Sequence, residues 1–90
     1  MRTYRYLISG LVQGVCFRHY TVCEAERLGI SGTVKNLASG DVEVFAQGDE
    51  AAIAQFLSFL NRGPFTARID QLVKEEFEST EEYRGFDIKW

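Results

Sequence analysis

The stretch Gly10-Leu11-Val12-Gln13-Gly14-Val15-Cys16-Phe17-Arg18 decides how the rest of the chain must fold. Alternating residues lead into it and a helical pattern follows it, which indicates a strand end, a tight loop and a helix start. Gly14 tolerates a positive φ and lets a ligand approach the backbone closely. The helix start offers free N–H groups and a positive dipole end, and Arg18 adds a planar cationic fork. The stretch therefore predicts a small cradle for an anion such as phosphate.

Around this loop, the spacing of apolar residues predicts the order β-α-β-β-α-β with one further strand. The clearest signal is the second helix, where Ile53, Phe56, Leu57 and Leu60 follow at i, i+3, i+4 and i+7. Asp49 is its expected N-cap, and Gly63-Pro64 ends it. The strands are expected near residues 4–12, 30–34, 41–46, 67–77 and 86–90, and the first helix over 18–29. In the fourth strand we expect Ile69, Val73 and Phe77 to lie on one face.

This order of elements favours an α+β fold, the ferredoxin-like split-βαβ sandwich. We expect a mostly antiparallel sheet with two helices on one face and an extra C-terminal strand. In that topology the first two strands run parallel with the third between them, so their C-terminal ends share one edge of the sheet. Two strand spacings separate them by roughly 10 Å. The loop that ends at Arg18 is therefore predicted to lie near Asn36, which ends the second strand.

Length and charge limit the possible functions. Ninety residues, 46% apolar and 26% charged, make one globular domain. The apolar runs are too short to span a membrane, and the chain enters a strand without a leader pattern, so we expect a cytoplasmic protein. We also expect a monomer, since 90 residues can fold alone. The net charge is −3, and residues 46–90 carry nine acidic side chains against five basic ones. This acidity argues against a general nucleic-acid partner.

The two cysteines, Cys16 and Cys23, are expected to be free thiols. On one helix, residues seven positions apart are separated by roughly 10 Å, which is too far for a disulfide. Cys16, His19 and Cys23 also have helical spacing, which raises the possibility of a metal site. Zinc sites need four ligands, or three and a water, and the chain has no other histidine or cysteine. We therefore expect no metal.

The chain resembles the acylphosphatase family through four motifs that cover nearly its whole length. The longest is the loop motif, Gly10-x-Val12-Gln13-Gly14-Val15-x-Phe17-Arg18. The second is Gly29-Ile30-x-Gly32-x-Val34-x-Asn36, followed by a turn and a strand that ends at Gln47-Gly48. Gly63-Pro64-x-x-Ala67 and Phe86-x-Ile88 complete the set. A long motif with correctly spaced partners is far more specific than a lone glycine-rich loop.

The resemblance implies a fold, a reaction and a site. It implies one acylphosphatase-like domain over residues 1–90 that hydrolyses small acyl phosphates to a carboxylate and inorganic phosphate, without metal or cofactor. The family's catalytic arginine and asparagine fall on Arg18 and Asn36. The phosphate-binding residues are expected to be Gln13, Gly14, Val15, Cys16, Phe17 and Arg18. Gln13 is also expected to shape the loop rather than to act as a catalyst.

Two non-catalytic functions share this order of elements. An RNA-binding sandwich would stack bases on aromatic side chains of its first and third strands. Here those strands offer Leu7 and Phe45, with Glu43 beside them, and negative charge at that place repels phosphate. A small-molecule-binding domain without activity is the other alternative, and hydrolysis of benzoyl phosphate distinguishes it from an enzyme.

Overall fold

The structure is a computed structural model that describes residues 1–14 and 16–90. Its elements follow the predicted order. They are β1 (Arg2–Leu11), α1 (Phe17–Leu28), β2 (Ser31–Asn36), β3 (Val42–Gln47), α2 (Glu50–Arg62), β4 (Arg68–Glu78) and β5 (Phe86–Lys89). Neither α1 nor α2, the two helices of the described ranges, has the length and apolar character needed to cross a bilayer.

The five strands form one sheet in the order β4-β1-β3-β2-β5. Neighbouring strands are antiparallel except β2 and β5, which are parallel. The two helices pack against each other, α1 also against β2 and β5, and α2 against β4. This is the predicted ferredoxin-like α+β sandwich with an added strand. Because β3 lies between parallel β1 and β2, both strands end at the same edge of the sheet.

The core lies between the sheet and the helices, and it is formed by alternate strand residues and one stripe of each helix. Its largest fully buried apolar side chains are Tyr6, Phe17, Phe56, Ile8, Leu60, Val12, Val34, Val42 and Val44. The rings of Tyr6 and Phe86 both meet Phe56 edge to face, with centroids 6.4 and 5.8 Å apart. This burial orders α1, whose own apolar stripe is weak, because tertiary packing supplies most helix stability in proteins.

The predicted helix ends are found at α1 and α2. Asp49 caps α2, because its side chain accepts a hydrogen bond from the Ala52 backbone N–H at 2.8 Å. Gly29 ends α1 in the left-handed conformation at φ 73°, and its N–H donates to the carbonyls of Ala25 and Glu26. These caps are local interactions, which explains why the sequence predicts them well.

The prediction for β4 is wrong in one respect. Ile69 and Leu72 pack against the core, whereas Val73 and Phe77 are exposed. The pairing with β1 shifts between Ser9 and Gly10, which pair with Gln71 and Ile69, so the intervening residue of β4 has no partner on β1. A bulge of this kind changes the face on which later residues of the strand lie. Strict alternation along the sequence cannot reveal it.

The connection between β4 and β5 is held to the sheet by Gln47. Its side-chain Nε2 donates to Thr3 Oγ1 at 2.9 Å and to the Glu81 carbonyl at 2.8 Å. Its Oε1 accepts a hydrogen bond from the Tyr83 N–H at 3.0 Å. Gln47 is buried, so its three hydrogen bonds are shielded from water and fix the path that leads the chain into β5.

Candidate active site

Two described residues of the loop between β1 and α1 adopt the left-handed backbone conformation. Gly14 has φ 74°, and Cys16 lies in the left-handed region at φ 62° and ψ 20°. Among the described residues, no side chain caps the start of α1, so the first N–H groups of the helix remain available. Left-handed residues beside a helix start are typical of backbone nests for anions. Val15, which we predicted to bind phosphate, lies outside the described residues.

A cleft of about 320 Å³ opens beside this loop. Its walls come from the loop that follows β1, α1, β2 and β5. The lining residues are Val12, Gly14, Cys16, Phe17, Arg18, His19, Asn36 and Ile88. Arg18 and Asn36, 18 residues apart in sequence, therefore face one cavity, which confirms the predicted juxtaposition at the edge of the sheet.

Asn36 presents an amide oxygen without a hydrogen-bond donor. It is the last residue of β2 and pairs with Val42 across the hairpin. Its Oδ1 is buried, and no described residue donates a hydrogen bond to it. A buried carbonyl oxygen without a partner costs about 1–3 kcal/mol. Asn36 also lines the cleft, and an amide side chain can both donate and accept hydrogen bonds.

Arg18 is a half-buried cation in the first turn of α1. None of the ion pairs formed by described residues involves it. Its guanidinium carbon instead lies 4.4 Å from the centre of the Trp90 ring. The positive end of the α1 dipole adds to the same field, so the cleft favours an anion. The planar fork of Arg18 can form two parallel hydrogen bonds to phosphate oxygens.

The side chain of Gln13 does not line this cleft. Its Nε2 donates to the backbone carbonyls of Leu37 and Asp41, both at 2.9 Å. Both protons of the amide are therefore used on the turn that follows Asn36, which leaves only the backbone of Gln13 for phosphate. The expectation that Gln13 shapes the loop agrees with these contacts. It does so by joining the loop to the turn after β2.

Four residues of the site were not predicted as site residues. Val12, His19 and Ile88 line the cleft, and the Trp90 ring lies against the Arg18 guanidinium. The sequence places His19 directly after Arg18, which is a weak signal for proximity. Ile88 and Trp90 reach the site because β5 joins β2 in parallel, and no local pattern of a four-residue strand specifies that neighbour.

The described residues contain no group of three or more His, Cys, Asp or Glu side chains placed to hold a metal ion. His19 Nε2 and Cys23 Sγ are 3.7 Å apart, and Cys16 and Cys23 are both free and exposed. The lack of a disulfide agrees with the prediction. Cys16 contributes to the wall of the cleft, directly before α1.

The opposite face of the sheet carries an ion network and an aromatic pair, Phe45 and Phe77, whose ring centroids are 6.4 Å apart. Arg5 Nε contacts Glu43 at 2.8 Å and its Nη1 contacts Glu75 at 2.7 Å. The hydrogen bond that Arg5 donates to Glu43 raises the pKa of Arg5 further above its already high value, with Glu75 adding to the effect.

The fold and the cleft together define a class of protein. It has a small α+β fold in which one arginine and one asparagine line a cleft beside the loop between β1 and α1. The chain belongs to the acylphosphatase family, since the model of the Acylphosphatase family matches residues 4–88. Its activity is therefore that of a hydrolase acting on the carboxyl–phosphate bond of acyl phosphates, as the motifs implied.

Individual relatives agree with this assignment. An acylphosphatase of Geobacter sulfurreducens is 46% identical over 83 residues, which cover 92% of this chain and 91% of the relative. One of Legionella pneumophila is 47% identical over 88 residues, covering 98% and 92%. The crystal structure of acylphosphatase from Bacillus subtilis superposes with a TM-score of 0.95 at 33% identity, covering all of both chains. The likeness thus extends along the whole described fold.

Proposed function

We propose that Arg18 and the adjoining loop hold the phosphoryl group of the substrate, and that Asn36 orients the water that attacks it. The observation that carries this proposal is that Arg18 and Asn36, from α1 and β2, line one cleft beside the loop. A cation without an ion-pair partner among the described residues is suited to a phosphate, and an amide that can donate and accept hydrogen bonds is suited to orient a water. The 320 Å³ cleft has room for both.

The chemistry needs little more than this positioning. The water oxygen forms a bond to phosphorus as the bond from phosphorus to the acyl oxygen breaks. The carboxylate leaves with the electron pair, and because its conjugate acid has a pKa of about 4, it needs no proton to depart. Phosphoryl transfer has a loose transition state with charge spread over the equatorial oxygens. The donors of Arg18, the loop and the start of α1 are arranged to stabilise that charge.

The proton of the attacking water goes to an oxygen of the transferred phosphoryl group. Asn36 is neutral and is a poor base, so its amide oxygen accepts a hydrogen bond without removing the proton. This hydrogen bond directs a lone pair of the water toward phosphorus, which is a contribution of positioning. The reaction is accordingly proposed to proceed without a metal. Activity in EDTA equal to that in Mg²⁺ is expected, and a loss in EDTA that Mg²⁺ restores would contradict it.

Benzoyl phosphate hydrolysis by matched variants tests the two roles. Arg18→Ala should lower kcat/KM by about 10³-fold or more and abolish binding of inorganic phosphate. The control is Arg27→Ala, because Arg27 lies on the same helix but does not line the cleft. Its Nη2 instead pairs with Glu24 Oε2 at a distance of 2.6 Å. The control should keep wild-type activity. Near-normal phosphate affinity in Arg18→Ala would exclude the proposed role.

The Asn36→Ala variant separates catalysis from binding. It should lose about 10²-fold in kcat while phosphate affinity changes little, since the amide acts on the water and not on the phosphate. Asn36→Asp keeps the size of the side chain but adds a negative charge, so it should weaken phosphate binding as well. An unchanged kcat in Asn36→Ala would remove this residue from the mechanism.

We also propose that residues 1–90 act as one catalytic domain that is monomeric, cytoplasmic and without a nucleic-acid partner. Helix α1, which carries Arg18, packs against β2, which carries Asn36, and the acidic net charge of −3 disfavours RNA and DNA. The two free, exposed thiols suit a reducing compartment. Light scattering on the eluted protein and a filter-binding assay with single-stranded RNA test these points. A stable dimer or tight, salt-sensitive RNA binding would contradict them.

A further inference from the structure

Trp90 is a large aromatic residue placed directly beside the proposed phosphate site. Its side chain is 87% exposed, yet its ring centre lies only 4.4 Å from the guanidinium carbon of Arg18. Because it buries so little of its surface, Trp90 contributes little to the core. Its stacking contact with Arg18 therefore needs an explanation other than packing.

The topology brings Trp90 to this position. The parallel register of β2 and β5 pairs Lys35 with Lys89, so the next residues along the two strands are Asn36 and Trp90. Both strands consequently end at the edge where the phosphate loop lies. Helix α1, which carries Arg18, packs against β5. Gln47 fixes the connection that leads into β5 and so supports this arrangement.

The contact with Trp90 is compatible with phosphate binding by Arg18. A guanidinium ion is planar, and its N–H groups point outward in that plane. The guanidinium carbon lies over the Trp90 ring, whose electron density attracts the cation. No ion pair of the described residues uses Arg18, so its N–H groups can bind phosphate while the ring contacts the cation. An arginine side chain loses rotamer freedom when it binds a ligand, and this loss weakens binding. If the Trp90 ring already restricts Arg18 in the free protein, less entropy is lost when phosphate binds.

We propose that Trp90 is a positioning residue that holds Arg18 in its phosphate-binding orientation. The proposal rests on the role of Arg18 given above. It predicts that removal of the ring weakens the binding of the phosphoryl group in the substrate and in the transition state alike. The loss should therefore be seen mainly in KM and in phosphate affinity, with kcat nearly unchanged.

Three substitutions of Trp90 separate aromatic stacking from bulk. Trp90→Leu and Trp90→Ala should weaken the binding of inorganic phosphate, measured by calorimetry, by about two- to five-fold. Trp90→Phe keeps an aromatic face and should stay within about two-fold of wild type. KM for benzoyl phosphate should follow the same order. All three variants should unfold like the wild type because the side chain is exposed. Wild-type phosphate affinity in Trp90→Leu, or equal affinity in Trp90→Leu and Trp90→Phe, would overturn the proposal.

Fluorescence gives a second readout in the intact protein. Trp90 is the only tryptophan of the chain, so its emission reports on this contact alone. Inorganic phosphate should change that emission in the wild type and have no effect in Arg18→Ala. If Arg18→Ala keeps its phosphate affinity, the role of Arg18 is wrong whatever the Trp90 variants do. If Arg18→Ala loses phosphate while Trp90→Leu binds it normally, only the stacking proposal fails.

Discussion

The hydrogen bonds of Gln13 allow the sharpest test of how this site is held together. Its amide joins the phosphate loop to the turn that begins directly after Asn36, through the carbonyls of Leu37 and Asp41. Gln13→Ala removes both bonds without changing any group that we assign to the chemistry. The variant therefore tests whether the placement of Arg18 and Asn36 depends on this link between the loop and the turn.

The expected loss of stability is modest because each of the two carbonyl oxygens keeps a backbone N–H donor. A hydrogen bond contributes about 1 kcal/mol net, and a carbonyl left without a donor costs more. Here the Asp41 carbonyl still accepts the Leu37 N–H at 2.9 Å, and the Leu37 carbonyl still accepts the Gly40 N–H at 3.1 Å. Neither oxygen is orphaned, so the estimate for Gln13→Ala stays at about 1–2 kcal/mol. Each kcal/mol lowers the Tm of a domain of this size by roughly 4–8 °C.

Urea unfolding and benzoyl phosphate kinetics measure the two consequences. We expect a lower midpoint with an unchanged m-value, and a kcat reduced by up to about 10²-fold because Asn36 is less well placed. Gln13→Glu is the matched variant. It has the same length but puts a carboxylate against two carbonyl oxygens, so at pH 7 it should be less stable than Gln13→Ala. Unchanged unfolding and unchanged kcat in Gln13→Ala would refute the reasoning.

The remaining predictions concern the scaffold. Gly32→Ala should lower the free energy of unfolding in urea by about 3 kcal/mol, because φ is 154° and the new Cβ would overlap the Phe45 carbonyl. Gly40 is the matched control: its φ is 98°, but a Cβ there meets no described atom, so Gly40→Ala should lower that free energy by only about 1 kcal/mol. Tyr6→Phe should raise the free energy of unfolding by about 1 kcal/mol, because no described residue bonds the buried Tyr6 hydroxyl. Burial also raises the pKa of Tyr6. Folded Tyr6 thus keeps a proton that the unfolded chain loses above about pH 10, so wild-type stability should fall there with rising pH, and less so in Tyr6→Phe. Equal alkaline slopes in the two proteins would contradict this.

Acid should act on a different group. The hydrogen bond from Arg27 lowers the pKa of Glu24. The pair therefore stabilises the fold above the ordinary pKa of glutamate, and this contribution is lost as pH falls through the lowered value. Glu24 and Arg27 lie on the surface of α1, so Glu24→Gln should flatten the acid branch of the stability curve only slightly. The activity of this variant should equal that of the wild type, since neither residue lines the cleft.

The sequence by itself determined the features that depend on neighbours along the chain. The spacing of Ile53, Phe56 and Leu60 specified α2, and Asp49 specified where it begins. The loop motif specified the turn at Gly14 and the helix that follows. The element order then required β1 and β2 to end at the same edge of the sheet, which placed Arg18 and Asn36 at that edge. These predictions succeeded because helix periodicity, capping and strand order are local properties or follow from very few topological choices.

Only the tertiary structure decided which distant groups touch. The bulge in β4 put Val73 on the face opposite to Ile69, although their spacing predicted one common face. The amide of Gln13 could have met phosphate, but it bonds two carbonyls that are 24 and 28 residues away. The parallel pairing of β5 with β2 put Trp90 on Arg18, 72 positions earlier in the chain. Such contacts depend on strand register and side-chain direction across the sheet, and no periodic pattern of a single segment encodes the position of its partner.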